Sequence, residues 1–360
     1  MSNWRTLVNR LRVDMTLAPG RRPAKLLVGL ILLVLALSGC RGGGLRHESW
    51  PGLIAADGAL YAANLEHVEA LDADTGKVYW SFPITEQRDA TPFYSTPVLA
   101  PEVGENGLLL VAGFKDQTVY GLALGATVAE RPDELWRFDG AAGQYVGTGA
   151  VAGDLFIIGN GDGHVYALRL EDGTQAWEFA TQDRVWATPV VVENTVYVAS
   201  LDHHLYALDV ESGAERWRFE AAGAISATPV LAGDDLWVGD FSSTLYQINL
   251  DAQDAIWTFE ADDWLWASPL LDGDILYFAD VGGNVYALNV VERTMVWDSP
   301  VTFDDILHGQ PALNEDGTLL YVAGYEKGVV HAIDVASGTE RESWGTTLEM
   351  QQPRTFPRSA

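Results

Sequence analysis

The chain has 360 residues, of which 50 are Asp or Glu and only 22 are Lys or Arg, so its formal net charge is −28. A surface this acidic effectively excludes nucleic acid as a partner, because contacts to phosphates need Lys and Arg. The single cysteine excludes an internal disulfide bond, so the stability of the fold has to come from the packing of a large core.

The N-terminal segment has the features of an export signal. Arg21, Arg22 and Lys25 precede an apolar run over residues 26–37, and small residues follow up to Cys40. A basic region, a short apolar segment and small residues before a cleavage site predict a signal peptide. The apolar run is also shorter than the roughly 20 residues that a membrane-spanning helix needs. A plain membrane anchor is the alternative.

The four residues Leu-Ser-Gly-Cys that end at Cys40 resemble the lipobox of bacterial lipoproteins. The resemblance implies that residues 1–39 are removed and that Cys40 is acylated, so that the mature chain contacts a lipid bilayer. Met1 or Met15 is the start, and either choice leaves the mature protein unchanged. Residues 40–47, which are rich in Gly, are predicted to form a flexible tether.

A tryptophan recurs along the rest of the chain, and its four central copies are forty residues apart. The seven members of the series are Trp80, Trp136, Trp177, Trp217, Trp257, Trp297 and Trp344. A period of 20–50 residues is typical of solenoids, propellers and repeat arrays. Seven copies of one structural unit are therefore predicted, with a boundary near residue 348 and a flexible tail over 349–360.

Each unit contains four short runs rich in Val, Tyr, Trp and Leu that alternate with Gly, Asn, Asp and Ser clusters. In the unit over residues 185–219, the second and third runs are Thr195–Ala199 and Leu205–Asp209. Such runs at hairpin spacing predict a four-stranded antiparallel meander. Repeated meanders of this kind favour an all-β fold, a β-propeller over residues 48–348 with seven blades; eight blades are the alternative.

The end of the unit resembles a known repeat family. Residues 70–80 match Ala-x-Asp-x-x-Thr-Gly-x-x-x-Trp, which is the signature of the PQQ-like propeller repeat, and residues 207–217 match it nearly as well. The fifth and sixth copies depart from it, with Gln253 and Arg293 at the Gly position. The resemblance implies that the Thr-Gly turn closes the outer hairpin and that the Trp packs against the neighbouring blade. The seven Trp residues are therefore expected to be structural.

The resemblance points to two kinds of function. Quinoprotein dehydrogenases of this repeat family hold pyrroloquinoline quinone with a Ca²⁺ ion, an Asp base and a vicinal Cys pair, whereas this chain has one cysteine. Other members bind no cofactor and act as binding platforms, among them BamB-like lipoproteins, which share the lipid anchor and the acidity but have eight blades. No cofactor, no metal ion and no catalytic residue is therefore expected.

A candidate binding site follows from the position of the first strand in each blade. The first strands of a propeller line its central channel, so residues just before the recurrent Thr-Pro pairs are expected near one mouth of the channel. The position three residues before each Pro, or before its replacement, gives Glu48, Tyr94, Val146, Trp186, Ser226, Trp266 and His308. This set suits a flat or basic ligand; the alternative is that the aromatic side chains pack between inner strands. Strand direction leaves open which mouth they occupy.

Other motifs are weaker. His203 and His204 are adjacent, and neighbouring residues in a strand point to opposite faces, so they cannot both bind one ion. The Asp-rich turn at Asp72 and the Gly-rich segment at residues 159–163 are interpreted as hairpin turns.

The sequence thus predicts a non-catalytic, lipid-anchored binding or scaffold protein outside the cytoplasm, with an envelope protein or an exported polypeptide as its partner. One alternative is a BamB-like factor in the assembly of outer-membrane proteins. A second is a quinone-binding redox protein that uses Trp186 and Trp266, and a third is saccharide binding by the same aromatic side chains.

Overall fold

Short apolar runs bounded by Gly, Asp and Asn turns form antiparallel strands throughout the chain, as their β-branched and aromatic content favours. The computed structural model describes residues 52–64, 67–83, 93–341 and 346–347. These residues form strands and turns and contain no helix. The described part of the chain therefore has no helix that could cross a membrane. The predicted signal peptide, tether and tail, together with Cys40, Glu48 and Trp344, lie outside the described residues.

The strands form seven antiparallel sheets, each ordered first, second, third, fourth. In chain order they are β1 Leu53–Ala56, β2 Ala59–Asn64, β3 His67–Asp72, β4 Val78–Phe82, β5 Val98–Ala100, β6 Leu108–Ala112, β7 Val119–Ala123, β8 Asp133–Phe138, β9 Ala150–Ala152, β10 Leu155–Gly159, β11 His164–Arg169, β12 Gln175–Ala180, β13 Val190–Val192, β14 Thr195–Ala199, β15 His204–Asp209, β16 Glu215–Glu220, β17 Val230–Ala232, β18 Asp235–Gly239, β19 Thr244–Asn249, β20 Asp254–Glu260, β21 Leu270–Asp272, β22 Ile275–Ala279, β23 Asn284–Asn289, β24 Thr294–Met295, β25 Val301–Thr302, β26 Ala312–Leu313, β27 Leu319–Ala323, β28 Val329–Asp334, β29 Thr339–Glu340 and β30 Thr346–Thr347.

The sheets are the seven blades of a β-propeller, which confirms the predicted fold class and the favoured blade number. Blade 1 is β1–β4, and each following group of four strands forms blades 2 to 5 in turn. Blade 6 is β21–β25 and blade 7 is β26–β30, because the outer strand of each is interrupted and both of its pieces pair with the third strand.

The first strands of neighbouring blades meet around the centre of the ring, as the contacts between β5 and β9 and between β9 and β13 show. At three of the junctions between blades, the small residue before the Pro donates a hydrogen bond to its counterpart in the next blade. The Thr96 N–H donates to Thr148 Oγ1 at 3.0 Å, the Thr188 N–H to Thr228 Oγ1 at 3.0 Å, and the Thr228 N–H to Ser268 Oγ at 2.9 Å. This sequence column therefore hydrogen-bonds blade 2 to blade 3, blade 4 to blade 5 and blade 5 to blade 6 near the centre of the ring.

The core lies between blades. The second strands β6, β10 and β14 are buried at every position, and their side chains form clusters that combine residues of two adjacent blades. Neither face of these strands reaches solvent, so each blade stabilises its neighbours by burying apolar surface.

The recurrent Trp closes the outer part of the seam between blades. The Trp177 indole N–H donates to the Val210 carbonyl of the next blade at 2.8 Å, and its ring covers Gly213, where a Cβ would lie 2.6 Å from ring carbons. Because Gly213 also has φ +69°, only glycine suits the position. The same contacts join Trp136 to Leu170 and Gly173, and Trp297 to Val335 and Gly338; Trp80 donates to Val128.

Two seams depart from this arrangement. Gln253 and Arg293 replace the glycine in blades 5 and 6, although both keep a positive φ, of 58° and 59°. Trp217 and Trp257, which face these turns, are only half-buried, and in the described part of the chain their indole N–H groups have no hydrogen bond to the next blade. A side chain at this turn position thus keeps the indole from closing over it.

Candidate functional site

The loops that enter each blade lie on the same face of the ring as the second hairpins of the blades, and we call this face the mouth face. Backbone hydrogen bonds join the two kinds of loop in one blade after another. The pairs, N–H donor first, are Gly161 to Gln144, Leu201 to Arg184, Phe241 to Ala224, Val281 to Trp264 and Tyr325 to Ile306.

A carboxylate at the second hairpin adds a further hydrogen bond between the two loops. The Asp202 carboxylate accepts hydrogen bonds from the Tyr206 hydroxyl at 2.7 Å and from the Gln182 N–H at 2.8 Å. Burial by itself would raise the pKa of Asp202, but the N–H of Gln182, the hydroxyl of Tyr206 and the N–H of His204 lower it overall. Equivalent Tyr-Asp pairs are Tyr120 with Asp116, Tyr166 with Asp162, Tyr246 with Asp240 and Tyr286 with Asp280.

The predicted mouth residues occupy equivalent places on this face. Each is partly exposed and directly follows a fully buried residue, so the chain alternates between the seam and the channel side. The partly exposed members are Tyr94, Val146, Trp186, Ser226, Trp266 and His308, and the buried residues before them are Phe93, Tyr145, Val185, Ile225, Leu265 and Leu307.

Three of these residues converge. The rings of Trp186 and Trp266 are 6.2 Å apart, and Trp266 stacks with His308 at 5.1 Å. Trp186 belongs to the entry of blade 4 and Trp266 to that of blade 6, so the two indoles meet across blade 5. The small Ser226 lies between them in the chain and donates from its hydroxyl to the Trp266 carbonyl at 3.1 Å. Tyr94 packs against Phe114.

The structure adds three aromatic residues that the sequence interpretation missed: Phe241, Trp264 and Tyr325. The ring distances are 5.6 Å from Trp264 to Phe241, 5.0 Å from Phe241 to Trp266 and 5.0 Å from His308 to Tyr325. Together with Trp266 and His308 they form a continuous row of five rings over blades 5 to 7, which we call the aromatic row. The available signal was the aromatic residue at position 241 or 325, because the equivalent turn residue in blade 3 is Gly161.

The rim around the aromatic row is acidic. Asp262 and Asp263 precede Trp264, and Asp304 and Glu326 lie on the loops of blade 7. Lys327 donates to Asp304 at 2.6 Å, which lowers the pKa of that exposed carboxyl group.

One cation on the rim already contacts an indole. The Arg184 guanidinium lies 5.9 Å from the centre of the Trp186 ring, within the range of a cation–π contact. The mouth face therefore offers stacking surfaces and negative charge, a combination that suits apolar or cationic groups.

The remaining candidates do not form a site. His203 is in a turn with φ 75° and His204 is the first residue of β15, so they do not face one ion. Across the described ranges, no three His, Cys, Asp or Glu side chains come together as metal ligands.

A cleft of about 470 Å³ opens on the opposite face, between blades 5 and 6. Two of its lining residues depart from the repeat: Gln247 stands where most other blades have Ala, and Arg293 where most have Gly. Arg293 Nε donates to Gln247 Oε1 at 2.9 Å, and Gln247 Nε2 donates to Asp235 Oδ2 at 2.6 Å. The polar groups of the cleft thus bind one another across the seam that Trp257 leaves partly open.

The fold and its repeats define a class of protein, the PQQ-like β-propellers. The family model described as outer membrane protein assembly factor BamB matches residues 123–250 and 204–356. The chain belongs to this family. No curated protein matches it significantly in sequence.

Solved structures share the fold. BamB from Moraxella catarrhalis superposes with a TM-score of 0.63 at 17% sequence identity, over 80% of this chain and 86% of that one. The computationally designed Ika8 protein also has a TM-score of 0.63, at 14% identity, over 82% of this chain and 86% of that one. At such identities the likeness concerns the fold alone.

Proposed function

We propose that this chain is a non-catalytic, lipid-anchored scaffold of the cell envelope that binds a polypeptide on its mouth face and assists the assembly of outer-membrane proteins. Membership of a family described by that assembly role carries the proposal. The aromatic row supports the choice of face, because partly exposed rings offer an apolar surface to a partner.

The location of the partner can be tested by photo-crosslinking in cells. A benzoylphenylalanine placed at the exposed Ala222, on the mouth face, is compared with one at Asp251, an exposed turn residue on the opposite face. We expect position 222 to crosslink to a β-barrel precursor or to a component of the machine that inserts β-barrels, identified by mass spectrometry. If neither position crosslinks to such a protein, the assembly role is wrong. If only position 251 does, the role stands and the choice of face is wrong.

The lipid anchor rests on the sequence around Cys40. We expect the full chain to incorporate labelled palmitate and to sediment with membranes, and Cys40→Ser to lose both properties. Sedimentation of the Cys40→Ser variant with membranes at the original level would instead support a plain anchor by the apolar run.

The contacts of Trp266 at the mouth support the non-catalytic role. Trp266 is stacked with both Phe241 and His308, and its ring centre lies 6.2 Å from that of Trp186, so its ring is already engaged by protein side chains. We expect pyrroloquinoline quinone with Ca²⁺ to leave the fluorescence of the purified domain unchanged. Saturable quenching at micromolar quinone that is lost in the Trp186→Ala, Trp266→Ala double variant would instead establish a redox role.

A further inference from the structure

Trp264 is the outer end of the aromatic row and has an unusual exposure. Half of its surface is open to solvent, and it is the only aromatic side chain among the large apolar residues that are exposed in the described part of the chain. Phe241 stacks on it at 5.6 Å with an interplanar angle of 16°, so one face of the indole is backed by protein. The exposed half therefore presents a rigid aromatic surface to solvent.

The loop that carries Trp264 is held in place. The Trp264 carbonyl accepts the Val281 N–H at 3.0 Å, its own N–H donates to Asp263 Oδ1 at 2.8 Å, and the Asp262 N–H donates to the Tyr286 hydroxyl at 3.1 Å. These contacts fix two carboxylate-bearing residues beside the indole. A partner would therefore meet a surface that needs little ordering on binding.

The equivalent position in blade 4 indicates what this surface binds. There the residue five before the Pro is Arg184, and its guanidinium lies over Trp186 at 5.9 Å. Trp264 has no such cation from the described residues, although two carboxylates adjoin it. Lys327, on the second hairpin of blade 7, is bound to Asp304. The indole therefore combines an exposed π surface with unneutralised negative charge.

We propose that Trp264, with Asp262 and Asp263, docks an arginine side chain of an extended polypeptide on the mouth face. The proposal rests on the proposed polypeptide-binding function and names the chemistry of the partner. A guanidinium stacks flat on an indole and hydrogen-bonds a carboxylate through two N–H groups, which an ammonium cannot do. The rest of the aromatic row gives the apolar neighbours of that arginine a surface to pack on.

The proposal can be tested with a fluorescently labelled dodecapeptide of alternating Leu and Arg, titrated with the purified mature domain and followed by anisotropy. Replacing every Arg by citrulline keeps the planar shape but removes the charge and exchanges one N–H donor group for a carbonyl oxygen. We expect the citrulline peptide and the Trp264→Ala variant each to weaken binding about tenfold or more. Asp262→Asn should weaken binding less than Trp264→Ala, and the loss should shrink at high salt.

Two variants serve as matched controls. Ile256→Ala removes another exposed apolar side chain, on the outer strand β20, and Asp251→Asn removes a carboxylate from the opposite face. Both should bind the arginine peptide as the unaltered domain does, and all variants should melt within a few degrees of it.

Equal binding of the arginine and citrulline peptides, or unchanged binding by Trp264→Ala, would overturn the proposal. So would a failure of the domain to bind the arginine peptide at all. Competition by spermidine as strong as that by the peptide would show that a free polycation, rather than a polypeptide, is the ligand. Crosslinking at position 222 that persists in Trp264→Ala would leave the assembly role intact while removing the arginine contact.

Discussion

At the scale of single residues, hydrogen bonds to carboxylates hold the loops of the mouth face in place. In blades 2 to 6 a Tyr of the third strand donates to an Asp at the hairpin before it. In blades 3 to 5 this Asp also accepts a backbone N–H from the loop that enters the blade, as Asp202 accepts from Tyr206 and Gln182. The shape of the mouth face therefore depends on the carboxylates of the second hairpins and on the Tyr hydroxyls that bind them.

We expect Tyr206→Phe to lower the free energy of unfolding by about 2 kcal/mol, because a hydrogen bond to a charged group contributes about 1.5–3 kcal/mol. Urea denaturation measures the change. Tyr197→Phe is the control, since Tyr197 is a buried Tyr of the neighbouring strand β14 without a carboxylate hydrogen bond. Equal losses in the two variants would show that the Asp202 contact contributes nothing specific.

The third hairpin of blade 4 gives a pH-dependent stability. The hydrogen bonds from Arg216 and from Ser212 lower the pKa of the partly exposed Asp209 to about 2. A carboxyl group whose pKa is lowered by folding stabilises the fold above its ordinary pKa near 3.8, and this contribution disappears as the pH falls to about 2.

We therefore expect Asp209→Asn to melt at a lower temperature than the unaltered domain at pH 5, and at nearly the same temperature at about pH 2. Asp251→Asn, which alters an exposed turn carboxylate without a hydrogen bond in the described structure, should show no such convergence. A constant difference between Asp209→Asn and the unaltered domain over this pH range would contradict the assignment.

At the scale of elements, each blade is a series of hairpins. The seams between blades differ in how completely the recurrent Trp is buried. Where Gly173, Gly213 or Gly338 occupies the third turn, the Trp of the preceding blade covers the glycine. Its indole N–H donates to a carbonyl of the same turn, as Trp177 donates to Val210. Where Gln253 or Arg293 occupies the turn, the facing indole is partly exposed. The same fold thus contains tight seams and looser ones.

We expect Gly213→Ala to destabilise the protein more than Gly233→Ala. Both glycines have a positive φ, of 69° and 62°, so each substitution costs about 1–2 kcal/mol in backbone strain. A Cβ at Gly213 would additionally clash with the Trp177 ring, whereas one at Gly233 would meet nothing within 4 Å. Overpacking adds about 1–3 kcal/mol. Urea denaturation of both variants isolates this packing contribution; equal losses would mean that the indole moves away freely.

At the scale of the whole molecule, negative charge dominates. A net charge of −28 on one chain implies mutual repulsion in the compact state, while the ion pairs between Lys or Arg and carboxylates within the described residues lie largely at the surface. Exposed ion pairs contribute little, so their loss on screening is small. The same charge attracts basic partners, in line with the proposed arginine contact.

We expect the melting temperature of the mature domain to rise by about 2–5 °C when the NaCl concentration is raised from low values to roughly 0.5 M, because the Debye length falls below the distances between most surface charges. Differential scanning calorimetry in a low-salt buffer and in added NaCl measures the shift. A fall in melting temperature would mean that attractive pairs outweigh the repulsion.

Much of the fold could be predicted because the repeats share one pattern of strand and turn residues. The spacing of the Trp residues predicted seven units, and the alternation within one unit located β14 at Thr195–Ala199 as observed. The Thr-Pro column likewise predicted which residues take equivalent places around the mouth. These features depend on turn chemistry and strand periodicity, which act over a few residues and therefore can be recognised in the sequence.

Only the tertiary structure decided which of these residues meet. Trp186 and Trp266 are eighty residues apart and touch because ring closure brings the entries of blades 4 and 6 together across the small Ser226. Phe241 and Trp264 join them from turn positions at which most other repeats carry non-aromatic residues, such as Leu201 at the position of Phe241 and Arg184 at that of Trp264, so no repeated column marked them. The sequence by itself determined the unit and its number, since local interactions specify each blade. The surface for a partner arises where the repeats differ, and it exists only once the ring places those differences side by side.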